Sequence, residues 1–169
     1  AATSIILMLV ASALAQPGSF TIKQIRGNPF PNELTASSSG SRIAWAFNEQ
    51  GQRNIYAAEG PDFKARQLTH YTQDDGQELT SVSISSDGKY VVFVRGGEHS
   101  ANWDGPPPNP GLSPIAPKVQ IWSVPFAGGE TKLVADGDDP VISPRNDLIA
   151  FVRDRSIWVA PVYGGGQPR

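Results

Sequence analysis

The sequence predicts an all-β fold, a partial β-propeller of about three four-stranded antiparallel blades preceded by an apolar, signal-peptide-like segment. Three observations predict it. A Ser-led turn followed by a short apolar run occurs three times. Each copy is followed by a second strand in which a branched aliphatic residue precedes a large aromatic one. Gly and Pro number 17 and 15 in 169 residues, as many short strands joined by turns require.

The turns come first. Ser37 to Trp45, Ser85 to Phe93 and Ser143 to Phe151 align without gaps. Gly40, Gly88 and Asn146 then share one position, where a tight turn needs positive φ. Gly has no Cβ to clash there, and Asn tolerates it best among the rest. Asp87-Gly88 is in addition a hairpin signal. The run Val91 to Val94 is apolar on both faces, which is how a strand reads when it is covered on both sides.

The second strands are Asn54-Ile55-Tyr56, Gln120-Ile121-Trp122 and Ser156-Ile157-Trp158. Gly-containing turns follow at Gly60-Pro61, Gly128-Gly129 and Gly164-Gly165-Gly166. A closing strand is expected at Arg66-Gln67-Leu68-Thr69 and at Lys132-Leu133-Val134. In the third unit it is expected from Pro168-Arg169 onwards. Units of about 40–50 residues with several strands each match a propeller blade. The apolar runs are four to six residues long and bounded by turns, too short for a helical solenoid.

The expected organisation is a signal segment at 1–15, a lead-in at 16–33 and an incomplete propeller at 34–169. The blades fall at about 34–78, at 79–138 with an inserted loop at 95–118, and at 139–169. Propellers close with 4–8 blades, so three leave an open apolar face, and the reading predicts an incomplete ring.

Ser4 to Ala15 reads SIILMLVASALA and ends in Ala13-Leu14-Ala15, the small-residue pattern that signal peptidase accepts. It is shorter than the roughly 20 apolar residues of a membrane span. The expectation is a periplasmic or secreted protein with no membrane attachment after cleavage. With a net charge of −2 and scattered Lys and Arg, the chain has no basic stripe for nucleic acid. It contains no cysteine, which excludes disulfides, thiolate metal sites and a cysteine nucleophile.

The inserted loop of the second unit holds the candidate binding residues. Glu98, His99, Asn102 and Trp103 put an acid, an imidazole, an amide and an indole within six positions, a mixture able to touch a peptide or a partner domain. The Pro-rich stretch after them, Gly105 to Pro117, reads as an extended strap. A surface cover for the blade is the plain alternative. One His with flanking carboxylates does not define a metal geometry, so no metal or other cofactor is predicted. His70 and Asp136-Gly137-Asp138-Asp139 read as inter-blade connectors and turns. No Gly-x-Ser-x-Gly elbow and no phosphate-binding glycine loop are present, so no catalytic residue is assigned.

The string Ser-Ser-Asp-Gly-Lys-Tyr-Val-Val-Phe-Val, with Ile-Trp-Ser-Val-Pro and a following Gly-Gly, resembles the propeller repeats of the prolyl oligopeptidase family and of TolB. Gln67-Leu68-Thr69-His70-Tyr71, Asp75-Gly76-Gln77-Glu78-Leu79, Val94-Arg95-Gly96-Gly97-Glu98-His99, Gln120 to Phe126 and Phe151 to Arg155 resemble exported dipeptidyl-aminopeptidase-like enzymes. This resemblance runs from about Phe20 to the end of the sequence. It implies a propeller that gates short peptide substrates, with a C-terminal α/β-hydrolase domain carrying a Ser-Asp-His triad as its partner. None of the triad positions is present in these residues. A homo-oligomer is compatible with this reading. A TolB-like binding scaffold is the alternative, although TolB carries an α/β domain ahead of its propeller and only about 18 residues lie between Ala15 and the first repeat. A lone propeller enzyme is a third reading, and it lacks a convincing set of axial ligands here.

Overall fold

The computed structural model describes residues 20–97 and 107–169. The signal-like segment therefore lies outside the described residues, as do Glu98, His99, Asn102 and Trp103. The described chain holds one short helix, α1 (Ile22–Arg26), and eleven strands in three antiparallel sheets. The first sheet takes β1 (Phe30–Ala36), β2 (Arg42–Glu49), β3 (Gln52–Glu59) and β4 (Arg66–Gln67) in chain order. The second takes β5 (Leu79–Ile84), β6 (Tyr90–Arg95), β7 (Gln120–Pro125) and β8 (Lys132–Asp136) in the same way. The third takes β9 (Asp138–Ile142), β10 (Leu148–Arg153) and β11 (Ser156–Pro161). Repeated up-and-down sheets of this kind are the blade architecture.

The helix occupies the segment read as a lead-in. Thr21 caps it: its hydroxyl accepts from Gln24 N–H at 3.1 Å, and the Gln24 side chain accepts from Thr21 N–H at 2.9 Å. β1 begins in the same segment, at Phe30, and Pro31 is tolerated because β1 is an edge strand.

Each Ser-led turn is built the same way. Ser37, Ser85 and Ser143 N–H groups donate to the carbonyls of Arg42, Tyr90 and Leu148 at 3.0, 2.9 and 2.8 Å. The Ser85 hydroxyl accepts from the N–H groups of Lys89 and Tyr90, both at 3.0 Å, and donates to the Asp87 carboxylate at 2.7 Å. Ser143 repeats this with Asp147 at 2.7 Å and Leu148 N–H at 3.2 Å. Gly40, Gly88 and Asn146 sit at φ of 74°, 70° and 61°. The turns also touch across blades. Ser39 Oγ donates to the Ser86 carbonyl, and Asn146 Oδ1 accepts from both Ser86 N–H and Ser86 Oγ at 2.8 Å.

Packing between sheets makes two cores. Along a strand, alternate residues face opposite ways. Val91 and Phe93 enter the core shared with Ala44, Ala46, Ile55, Ala57 and Leu68 of the first sheet. Val92 and Val94 enter the core shared with Ile149, Phe151, Ala160 and Val162 of the third. All four residues from Val91 to Val94 are 0 % exposed, so β6 is covered on both faces.

The first strand of each sheet carries a feature that the repeat alignment did not reveal. Its ladder register slips at a bulge, and Glu33, Ser81 and Asp139 take positive φ of 56°, 51° and 51°. Each lies four residues ahead of its turn serine. A bulge at this place bends and twists the strand.

Two outcomes test this packing. Phe93→Ala leaves a void between the first two sheets and should cost about 3–5 kcal/mol in chemical denaturation. Asn146→Gly should relieve the left-handed backbone and still destabilise the chain by about 1 kcal/mol, because both contacts to Ser86 are lost. An unchanged midpoint would show that this bridge carries no stability.

Candidate functional site

The connectors at one end of the second sheet enclose a cavity of about 680 Å³. It lies between the 73–77 connector, the end of β6 and the 109–120 segment that leads into β7. Arg95, the last residue of β6, organises one wall. Its guanidinium pairs with the Asp75 carboxylate and lies 4.6 Å from the centre of the Tyr71 ring. A planar cation over an aromatic face is held by the ring quadrupole as well as by its ion pair. Burial pushes the Tyr71 phenol above its ordinary value; Arg95 acts against this and Asp75 adds to it.

Gln77 ties the connector to the strap. It is 3 % exposed, its N–H donates to Asp75 Oδ1 at 3.0 Å, and its side-chain amide donates to the carbonyls of Asp75 at 3.0 Å and Pro108 at 2.6 Å. Gly76 needs its φ of 71°, and a Cβ on it would press on the Pro110 ring at 3.2 Å. At the tip of the strap, Leu112 N–H bonds the Asn109 carbonyl and Ser113 N–H bonds Asn109 Oδ1, both at 3.0 Å. Exposed Leu112 and Ile115 lie on the same segment.

The opposite wall is polar. Lys118 Nζ contacts Asp136 at 2.6 Å, and Gln120 Nε2 donates to the other Asp136 oxygen at 2.9 Å. The hydrogen bond from Lys118, then that from Gln120, holds the Asp136 carboxyl below its usual range, against the effect of burial. Asp74 lines the floor and faces Arg53 at 3.4 Å, while Arg53 also pairs with Glu78 at 3.0 Å. A second cleft of about 630 Å³ lies beside α1, with Lys23, Asn48, Gln50 and Arg53 among its lining residues.

The sequence placed its candidates in the same insertion, but on residues outside the described ones. Arg95, Gln77 and Lys118, which line the cavity, and Tyr71 and Asp136, which contact Arg95 and Lys118, were not singled out as a site, because they are scattered over 66 positions. His70 is exposed and has no hydrogen-bond or ion-pair partner among the described residues. Among the described residues, no three His, Asp or Glu side chains are grouped closely enough to hold a metal ion. Among them, too, no helix is long and apolar enough to cross a membrane. The cavity thus presents ion-paired cations, side-chain amides and the exposed Leu112 and Ile115 of the strap.

Comparison with known proteins identifies the fold. No family model matches the sequence, and no curated protein does. Among solved structures, a prolyl endopeptidase studied for its inter-domain dynamics superposes with a TM-score of 0.56 at 12 % identity, over 85 % of this chain and 22 % of its own. The β-propeller domain of the Trilobed protease from Pyrococcus furiosus gives 0.50 at 13 %, over 83 % and 42 %. A TolB from Agrobacterium tumefaciens gives 0.52 at 18 %, over 79 % and 46 %. The present chain thus spans between about a fifth and a half of the length of these structures. The class of protein is settled at the level of fold: an all-β chain of β-propeller blades, alike in the propellers of peptidases and in TolB.

The Asp136 wall yields a prediction with a definite sign. A carboxyl held below its ordinary 3.8 in the folded state adds stability above that value and loses it as the pH falls through the depressed one. Denaturant midpoints measured from pH 7 downwards should fall below about pH 4, and less steeply in Asp136→Asn. Equal slopes in the two proteins would show that the Lys118–Asp136–Gln120 group is not coupled to folding.

Proposed function

We propose that this chain is the access-controlling propeller portion of an exported serine peptidase of the prolyl oligopeptidase family, acting on short peptides. In this reading residues 1–15 direct export to the periplasm or the medium, the strands from Phe30 onwards form the blades, and a C-terminal α/β-hydrolase domain supplies the chemistry. The observation that carries it is a convergence. Three of the strings that resemble dipeptidyl-aminopeptidase-like enzymes are separate in sequence, yet Asp75, Gln77 and Arg95 from two of them line one cavity, and Tyr71 from the third lies under the Arg95 guanidinium.

The physical role is that of a filter. A cavity of this size admits an extended peptide segment and not a folded domain. Arg95 and Lys118 offer charge to a peptide carboxylate, Asp74 to an amine, and the exposed Leu112 and Ile115 offer apolar contact. The second reading, a binding scaffold with no catalytic partner, draws on the likeness in fold to TolB.

Reading the encoding gene beyond residue 169 and assaying its product separates the two. The peptidase reading expects an in-frame Gly-x-Ser-x-Gly hydrolase domain. Its product should release arylamine from short peptidyl arylamides, and a serine-directed phosphonate should abolish that release. A frame that completes the propeller with no hydrolase domain, and a product that retains a protein partner without cleaving peptides, would establish the scaffold instead.

A further inference from the structure

The cavity beside the strap holds more hydrogen-bond acceptors than uncommitted donors. Both cations that line it are matched: Arg95 by the Asp75 carboxylate, and Lys118 by Asp136 at 2.6 Å. Asp74 on the floor is matched only in part. It faces Arg53 at 3.4 Å, but that guanidinium also serves Glu78 at 3.0 Å and the Gly51 carbonyl at 2.9 Å. One cation between two carboxylates leaves a negative charge over. Among the described residues, no further Lys or Arg lines the cavity.

Gln77 adds a neutral acceptor to the same wall. It is buried, and its Oε1 has no hydrogen-bond partner. Turning the amide over brings no relief, because Nε2 is spent on the carbonyls of Asp75 at 3.0 Å and Pro108 at 2.6 Å. A buried acceptor in this position is costly unless something donates to it. Glycines shape the space around both acceptors. A Cβ on Gly96 would lie 3.2 Å from Gln77 Oε1, and a Cβ on Gly51, at φ 93°, would collide with the Asp74 carboxyl.

The strap supplies an apolar wall, through Ile115, Ala116 and Pro117. A side chain with an aliphatic stem and a charged tip lays the stem along such a surface and keeps the tip among polar groups. Lysine has that form: a flexible four-carbon stem and an ammonium with three donors and no acceptor. The α-amine of a peptide has the donors without the stem.

We propose that this cavity selects peptides by a lysine side chain, its stem on Ile115–Pro117 and its ammonium donating to Gln77 Oε1 and the Asp74 carboxylate. The proposal rests on the reading of the cavity as a peptide filter and narrows it to one substrate class. It does not require the hydrolase domain.

Three probes of similar length separate the sources of the ammonium group. N-acetyl-lysine amide carries it on the side chain only, norleucine amide on the α-nitrogen only, and N-acetyl-norleucine amide not at all. Calorimetric titration of the purified protein should show the first binding at least about tenfold tighter than either of the others. Gln77→Met should weaken it by about tenfold. Asp74→Asn should weaken it by about threefold and leaves the strap bond from Gln77 in place, since the Asp74 side chain is 63 % exposed. Equal binding of the lysine and N-acetyl-norleucine probes, tighter binding of norleucine amide, or no saturable binding at about 10 mM would overturn the proposal. Lysine binding indifferent to both substitutions would overturn it as well, and would leave Gln77 Oε1 to solvent. Cleavage of peptidyl arylamides without lysine binding sinks this inference alone, whereas lysine binding without cleavage sinks only the peptidase reading.

Discussion

A sheet that is apolar on both faces cannot be stable alone, and that constraint governs the rest of this molecule. β6 states it most plainly: Val91 and Phe93 point one way, Val92 and Val94 the other, and none of the four is exposed. Burying such residues stabilises by about 1.5–3 kcal/mol each, and only a neighbour on either side can supply that burial. Blades therefore stack, and each sheet is held as much by its neighbours as by its own ladder.

Stacking by apolar contact alone would leave the sheets free to slide. The polar contacts at the rims remove that freedom. The Ser-led turns meet at one end, through Ser39 on Ser86 and Ser86 on Asn146. Along each joint, a cation from one sheet lies over an aromatic ring of the next. Asn146 shows both demands in one residue. Its backbone takes the left-handed conformation that Gly40 and Gly88 take, and its side chain makes a bond that no glycine could.

The repeat was legible in the sequence because turns and buried strands place strict demands on residue type. Positive φ calls for Gly or Asn, and double-sided burial calls for an unbroken apolar run. The first strand of each sheet was harder to see. Its bulge falls on Glu33, Ser81 and Asp139, three unlike residues without glycine's signature. The helix was also missed, since Thr21 and Gln24 form a capping box inside a stretch too short to show periodicity. The cavity itself was not legible in the sequence. The insertion drew attention through its length, whereas Tyr71, Gln77, Arg95 and Asp136 become neighbours only once the connectors are stacked. Sequence spacing carries no information about that.

The division of labour between core and connector also explains why likeness of fold does not select an activity. The core positions answer to stacking, and any sheet with the right faces satisfies them, so peptidases and TolB share them at 12–18 % identity. The connectors answer to that demand only in part: Leu68 and Tyr71 pack on the core, whereas Asp75 and Gln77 do not belong to it. Arg95 pairs with Asp75 over the Tyr71 ring, and Gln77, 3 % exposed, bonds the proline strap; these are polar contacts outside the two apolar cores. Ordering a polar loop costs conformational entropy, and a loop with no packing role has no obvious return for that cost within the fold itself. Function in this architecture is therefore to be sought where the chain departs from its own repeat, and in these residues the largest departure is the insertion of the second sheet.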